Sequence, residues 1–392
     1  MPHANRIPGY TSTGSKRAEA LFGTSPTGAL PLRMTRSAGC RVWDAEGREY
    51  VDYVMGLGSV ALGYAHPAVT EAATRAVHDG VVGPLPPVLE GEVAERICGL
   101  MPWVERVRFL KTGAEAMAAA VRLARTVTGR ERVLGCGYHG WLDWNQLTAE
   151  GVPAGTRALY AELPFNDVER GRAMIRAAGA RLAAVVFEPI VVEEPTAEWL
   201  AMLREESRRA GAVLVVDEIK TVGRLAVGGG TERYGLAPDL VVMGKAIANG
   251  FPLAVVGGRA EVMEAARRTW ISSTLATEFV ALAAARATLE VLECERVPAH
   301  LWRVGGLLLE GLRALRERHP HLIAGVGGVA PMCFLQFASE GVSGLVAAGC
   351  AARGLLFKRS AYDFVSLAHD EAVVRETLAT LDAVLAGTRP PV

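Results

Sequence analysis

Lysine is scarce in this chain. Of 42 basic residues among 392, five are lysines (Lys16, Lys111, Lys220, Lys245 and Lys358) and 37 are arginines. A GC-rich coding bias that favours arginine suffices for the ratio, but the scarcity singles out each lysine. Arginine stays protonated and serves as surface charge, whereas a lysine amine can lose its proton and attack a carbonyl. Clustered cysteine is missing too. The six cysteines at 40, 98, 136, 294, 333 and 350 form no C-x-x-C pair and no Cys/His group at metal-ligand spacing, which excludes a disulfide scaffold or a structural zinc site and predicts no metal. There is no charge excess, since Lys+Arg 42 balances Asp+Glu 42, so a nucleic-acid binder relying on a basic surface is excluded. No apolar run approaches the roughly 18 residues of a membrane span, and the N-terminus has no apolar core of a signal peptide. A cytoplasmic protein with no membrane partner is expected.

What is present is apolar and ordered. Hydrophobic residues make up 50% and charged residues 21%, which rules out a disordered chain, and the length suits roughly two to three domains. Short β-branched runs alternate with longer Ala/Arg/Glu/Leu-rich stretches. Strands are predicted at 107–110, 132–136, 183–187, 213–216, 240–243 and 254–256. Being apolar on both faces, they indicate a mainly parallel sheet covered on both sides, an α/β domain over roughly residues 60–280. Before it lies a Gly/Pro/Ser/Thr-richer segment with a hairpin at Gly39–Asp52 turning at Asp44-Ala45-Glu46-Gly47. After about Arg296 come a long amphipathic helix, a strand at Cys333–Phe337 and a last helix ending near Leu385, which suggest a smaller α+β domain.

Four segments carry chemistry. In Val213-Leu214-Val215-Val216-Asp217-Glu218-Ile219-Lys220-Thr221, two carboxylates follow an apolar strand, and ligands of parallel sheets lie beyond such strand ends. Residues two apart in extended chain point the same way, so Asp217 and Ile219 could offer one ligand a carboxylate and an aliphatic pad. A helix cap or a nucleotide site would read similarly. Lys245 directly follows the strand 240–243, between Gly244 and the Asn249-Gly250 pair. Walled by Met243 and Ile247, its ammonium form should be disfavoured, as a Schiff-base lysine requires. A sheet-edge lysine paired with a carboxylate fits the segment equally.

The third segment, Lys111-Thr112-Gly113-Ala114-Glu115-Ala116, runs from a strand into a helix with the stripe Ala116, Ala120, Leu123 and Val127 and a stop at Gly129. Its turn would aim backbone N–H groups, a hydroxyl and the helix dipole at one point, as a phosphate needs. Alternatively, Thr112 simply caps the helix. In the fourth, Gly137-Tyr138-His139-Gly140, an aromatic pair between glycines follows a strand and could lie flat on an aromatic ligand, or pack within its loop. A nicotinamide site at Gly325-Val326-Gly327-Gly328 lacks the full glycine spacing.

In this order and spacing, D-E-I-K-T, G-K-A-I-A-N-G and T-G-A-E-A resemble the class III (subgroup II) pyridoxal-phosphate-dependent aminotransferases, closest to the glutamate-1-semialdehyde aminomutase-like transaminases. The likeness extends from the Val42–Tyr53 hairpin through Leu62-Gly63-Tyr64-Ala65-His66-Pro67 to Ser366-Leu367-Ala368-His369. It implies the fold type I (aspartate-aminotransferase-like) architecture with a mainly parallel seven-stranded sheet. The domains would be an N-terminal segment 1–55 packing with the small domain, a large domain 56–290 and a C-terminal small domain 291–392. It further implies that Lys245 links covalently to pyridoxal 5'-phosphate and moves protons, and that Asp217 keeps the pyridine nitrogen protonated. Ile219 and Tyr138 would pack on the two ring faces. Thr112, Gly113 and Ala114 would hold the phosphate, with Thr274 reaching it from the neighbouring subunit of a homodimer with shared active sites. His139, Glu188 and Lys220 fall among the cofactor contacts, Lys220 where relatives carry the Gln or Met bordering the 3-oxygen. Leu57, Gly28 and Glu193 fall near the substrate.

Two departures bear on that substrate. The aminomutase relatives bind a carboxylate with an arginine shortly after a Ser-Pro, and Ser25-Pro26-Thr27-Gly28-Ala29 has none. Relatives acting on ornithine or 4-aminobutyrate use a C-terminal arginine paired with the glutamate corresponding to Glu193, and Asp363–Ala368 has no arginine. Glu193 is therefore expected to face the substrate unpaired, or to be a plain loop carboxylate. The reading is an aminotransferase moving an amino group from an amino-acid donor to a carbonyl acceptor without an α-carboxylate, such as a keto-sugar or cyclitol. An aminomutase or epimerase is the alternative, and a catalytically inactive cofactor-binding regulator the second.

Overall fold

The computed structural model describes residues 6–23 and 30–389. Gly28 lies outside the described residues. In chain order the strands are β1 (Met34–Ala38), β2 (Arg41–Asp44), β3 (Glu49–Asp52), β4 (Arg106–Leu110), β5 (Arg132–Cys136), β6 (Tyr160–Glu162), β7 (Leu182–Phe187), β8 (Val213–Asp217), β9 (Leu240–Met243), β10 (Ala254–Gly258), β11 (Ile323–Val329), β12 (Met332–Phe337), β13 (Leu355–Leu356) and β14 (Asp363–Phe364). They divide between two compact units, one of Pro67–Pro298 and one of Met1–His66 with Ala299–Val392.

The unit Pro67–Pro298 is built on a seven-stranded sheet of order β4-β10-β9-β8-β7-β5-β6, in which β10 runs antiparallel to both neighbours and the other pairs are parallel. Every residue of β7, β8, β9 and β10 is buried, which is why these strands read as unbroken apolar runs. Alternate residues serve opposite faces. Ala184, Val186, Val213, Val215, Leu240, Val242, Ala254 and Val256 form one core with Met117, Ala120, Val121 and Leu123 of the helix Gly113–Thr128. On the remaining face Phe187 meets Trp199 edge-on at 5.4 Å. The helix Gly113–Thr128 stops at Gly129, whose φ of 67° is left-handed. Val127, expected on the buried stripe, is exposed; only Thr128 follows it before the stop at Gly129.

The second unit holds the sheet β1-β2-β3-β13 and the sheet β11-β12-β14. The hairpin β2–β3 turns where Asp44 Oδ1 accepts from Glu46 N and Arg48 N at 3.0 and 2.8 Å. Gly325-Val326-Gly327-Gly328, the candidate nicotinamide loop, is the strand β11. Its glycines let β12 approach, since a Cβ at Gly327 would lie 2.3 Å from Phe334 Cζ. Among the described residues no helix is long and apolar enough to cross a membrane, and no group of three or more His, Cys, Asp or Glu could hold a metal.

Candidate active site

Strand direction alone gathers the four segments and Glu188. Because β10 is antiparallel to both β4 and β9, strand β4 runs the same way as β5, β7, β8 and β9, and all five point their carboxyl ends to one edge of the sheet. Thr112 follows β4, Tyr138 and His139 follow β5, Glu188 follows β7, Asp217 ends β8, and Lys245 follows β9. This edge is where parallel sheets bind ligands.

Close approaches between the loops tie them together. A Cβ at Gly113 would lie 2.6 Å from Ile219 Cδ1, and one at Gly244 would lie 3.7 Å from Ile219 Cγ1, so Ile219 sits between the helix start and the lysine turn. Gly140, at φ 96°, comes so near Ala114 that a Cβ there would lie 2.6 Å from Ala114 Cβ. The Thr112 side chain accepts from Glu115 N at 3.2 Å, and Glu115 Oε2 accepts from Thr112 N at 2.9 Å, a reciprocal cap. The hydroxyl of Thr112 is thus engaged in capping, while Gly113 and Ala114 open the helix with N–H groups at the positive end of its dipole.

Asp217 is 1% exposed, and its two oxygens have separate partners. Oδ1 accepts from Ile219 N at 3.1 Å, and Oδ2 lies 2.7 Å from His139 Nδ1. His139 therefore does not lie against open space; it is buried on Asp217, backed by Trp144 at 6.1 Å between ring centroids, with its Nε2 lacking a hydrogen-bond partner. Tyr138 is 71% exposed. Sequence reading left the aromatic pair open between a ligand face and loop packing and missed the carboxylate–imidazole pair, whose signal was a histidine fixed between Gly137 and Gly140.

Lys220 is held inside the site: its Nζ lies 2.9 Å from Glu188 Oε1, with both side chains about one-tenth exposed. Glu188 Oε2 accepts from Tyr138 N at 2.8 Å. Lys245 adopts φ 48°, a left-handed conformation that a non-glycine residue holds only under constraint. Burial pushes its ammonium down to about 8, helped by the Lys220 cation and opposed by Glu188 and Asp217. Arg224, fully buried and lowered to about 10 by that burial, also faces Lys245 and was not singled out in the sequence.

Other expectations are placed elsewhere. Glu193 is exposed and its Oε1 accepts from Asn166 Nδ2 at 3.0 Å, so it is not unpaired. Thr274 is exposed in the segment before the helix Phe279–Cys294. Leu57, in the other unit, adopts φ 61° within a left-handed run.

Residues fit for pyridoxal phosphate are all present: a buried carboxylate backed by imidazole, a desolvated amine, an aliphatic pad, and a helix start that has no room for a side chain at Gly113. A family model of the class-III aminotransferases matches residues 24–382. The chain belongs to the class-III aminotransferases. Glutamate-1-semialdehyde 2,1-aminomutase of Thermus thermophilus is 35% identical, covering 97% of this chain and 96% of its own. The FumI protein of Sphingopyxis sp. MTA144, solved with pyridoxal phosphate as its internal aldimine, superposes with a TM-score of 0.91 at 28% identity, covering 98% of this chain and 94% of its own. A β-phenylalanine aminotransferase from Variovorax paradoxus gives a TM-score of 0.87 at 27% identity, covering 98% and 92%. This aminotransferase has the α/β fold of its class, uses pyridoxal phosphate, and works on an amine donor and a carbonyl acceptor.

Proposed function

We propose that the acceptor is a carbonyl compound without an α-carboxylate, such as a keto-sugar or a cyclitol precursor, and that the donor is a common amino acid. The observation carrying this is the commitment of Arg359, the one arginine in the stretch 357–368. Arg359 donates to the carbonyls of Glu19 and Ala20 at 2.9 and 3.2 Å and to Ser343 Oγ at 3.3 Å. Lys358 meets the buried Asp363 through its backbone, Asp363 Oδ1 accepting from Lys358 N at 2.7 Å. Arg359 is therefore not available to clamp a substrate carboxylate, and the Ser25-Pro26 segment supplies no arginine.

Pyridoxal phosphate supplies an electron sink for the carbon that loses its proton. The chain's own groups do the rest. Lys245, whose ammonium is brought down to about 8 by burial so that a fraction of it is uncharged near neutral pH, provides the amine that holds the cofactor and then carries the proton to and from the substrate carbon. Asp217 holds the proton on the pyridine nitrogen, and His139 fixes the carboxylate that does so. Ile219 and Tyr138 orient the ring, and the N–H groups at Gly113 and Ala114 hold the phosphate together with Thr274 of a second subunit.

The 35% identity to an aminomutase favours one second reading, return of the amine to the same molecule. A single turnover with donor separates the two. Release of free keto acid, leaving the cofactor as its amine, is expected; amine and carbonyl retained in one product would make this an aminomutase. Efficient turnover of glutamate-1-semialdehyde with none on sugar ketones or cyclitol ketones would overturn the substrate reading.

A further inference from the structure

We infer that Lys220, held by Glu188, is a positioning residue for Lys245: its fixed ammonium favours the uncharged, nucleophilic state of the second amine. The inference rests on the reading of Lys245 as the residue that links the cofactor.

An ammonium as buried as Lys220 must be paired, and the 2.9 Å contact to Glu188 Oε1 supplies the partner. Glu188 cannot turn away to release it. Its second oxygen is held by Tyr138 N, and Gly137 packs so closely that a Cβ there would lie 2.4 Å from Glu188 Oε2. The lysine cation is therefore locked in the turn after β8, next in the sheet to the turn after β9 that carries Lys245.

Four charged groups face the Lys245 amine. Lys220 and Arg224 disfavour its ammonium; Glu188 and Asp217 favour it. Both carboxylates are shared, Glu188 with Lys220 and Asp217 with His139. Removing the Lys220 charge would leave the Glu188 carboxylate to act on Lys245 without that competing cation, so the amine would stay protonated to higher pH. Removing the Glu188 charge would leave Lys220 repelling Lys245 with only Asp217 to offset it, so the amine would lose its proton at lower pH. A merely structural role predicts no such opposition of sign.

The test is the pH dependence of pyridoxal phosphate capture by the apoprotein, trapped by borohydride and located by peptide mass, which five lysines make tractable. In Lys220→Met the capture midpoint should rise by about one pH unit, slowing capture at pH 7 about tenfold. Lys220→Arg should keep the wild-type midpoint, and Glu188→Gln should lower it. An unmoved midpoint in Lys220→Met, or shifts of one sign in both Lys220→Met and Glu188→Gln, would overturn the inference. Undiminished capture by Lys245→Ala would overturn the site reading on which it rests.

Discussion

Lys111 stands one residue before the Thr112 turn, yet its amine reaches Glu278 Oε1 at 2.6 Å and the Pro252 carbonyl at 3.0 Å. Glu278 in turn caps the helix Phe279–Cys294, accepting from Val280 N and Ala281 N. The amine is thus a strut joining β4, the loop after Lys245 and a helix start. Lys111→Met should lower stability by about 3 kcal/mol, because it leaves a carboxylate only one-tenth exposed without its cation. Urea denaturation checks this; intact stability with lost cofactor binding would move Lys111 into the site. Gly113 makes the opposite case, a residue whose function is to have no side chain. Gly113→Ala should push Ile219 off its seat at a cost of about 1–3 kcal/mol, weakening pyridoxal phosphate binding about tenfold or more in a folded protein. Titration of the bound-cofactor absorbance measures it, and unchanged affinity would show that Ile219 yields freely.

At the scale of elements, legibility followed burial. Strands β5 and β9 were read with their observed bounds, and β7, β8 and β10 to within two residues, because both faces are buried and the apolar run is the strand. The short or glycine-rich strands were not legible. β6 has three residues with burial falling from Tyr160 to Glu162, β11 carries three glycines, and β13 and β14 have two residues each. β6, β13 and β14 pair with strands far along the chain, which no local pattern encodes, while β11 pairs with the adjacent β12 but is masked by its glycines. The left-handed run Met55, Gly56, Leu57 and Gly58 was equally hidden. It persists because Asp52 accepts from Val54 N and Met55 N, and because Gly58 leaves room for Phe364. The site residues at the sheet edge showed the same division: each lay in a legible post-strand turn, but the partners that define its work, Asp217 for His139 and Glu188 for Lys220, are 78 and 32 residues away in sequence. Thr112 was open between cap and phosphate contact, and its cap can be weighed directly. Thr112→Ala should destabilise by about 1 kcal/mol through loss of the bond from Glu115 N. Denaturant melts of the apoprotein measure the cap alone, and an unchanged midpoint would leave the hydroxyl free for the phosphate.

For the whole molecule, the unanswered feature is an apolar surface beside Thr274. Val81, Val82, Leu85 and Val88 are all exposed, Leu85 and Val88 by 77% and 82%. Phe279 N donates to the Val81 carbonyl at 2.9 Å, which joins this loop to the segment carrying Thr274 and the exposed Leu275. Water-facing valines and leucines on two linked segments are costly in a monomer and suit the core of an interface, which buries about 800 Å² per partner in stable complexes. A second copy of this chain is the occupant that would also bring Thr274 to a phosphate. The expected species in light scattering is therefore a dimer. A double substitution, Leu85→Glu with Val88→Glu, should shift it to monomer and weaken pyridoxal phosphate binding to the level of Thr274→Ala, although neither residue lies in the cofactor-facing turns. A monomeric double variant with wild-type cofactor affinity would show that each chain completes its own phosphate site. A variant that remains dimeric would place the interface on another face.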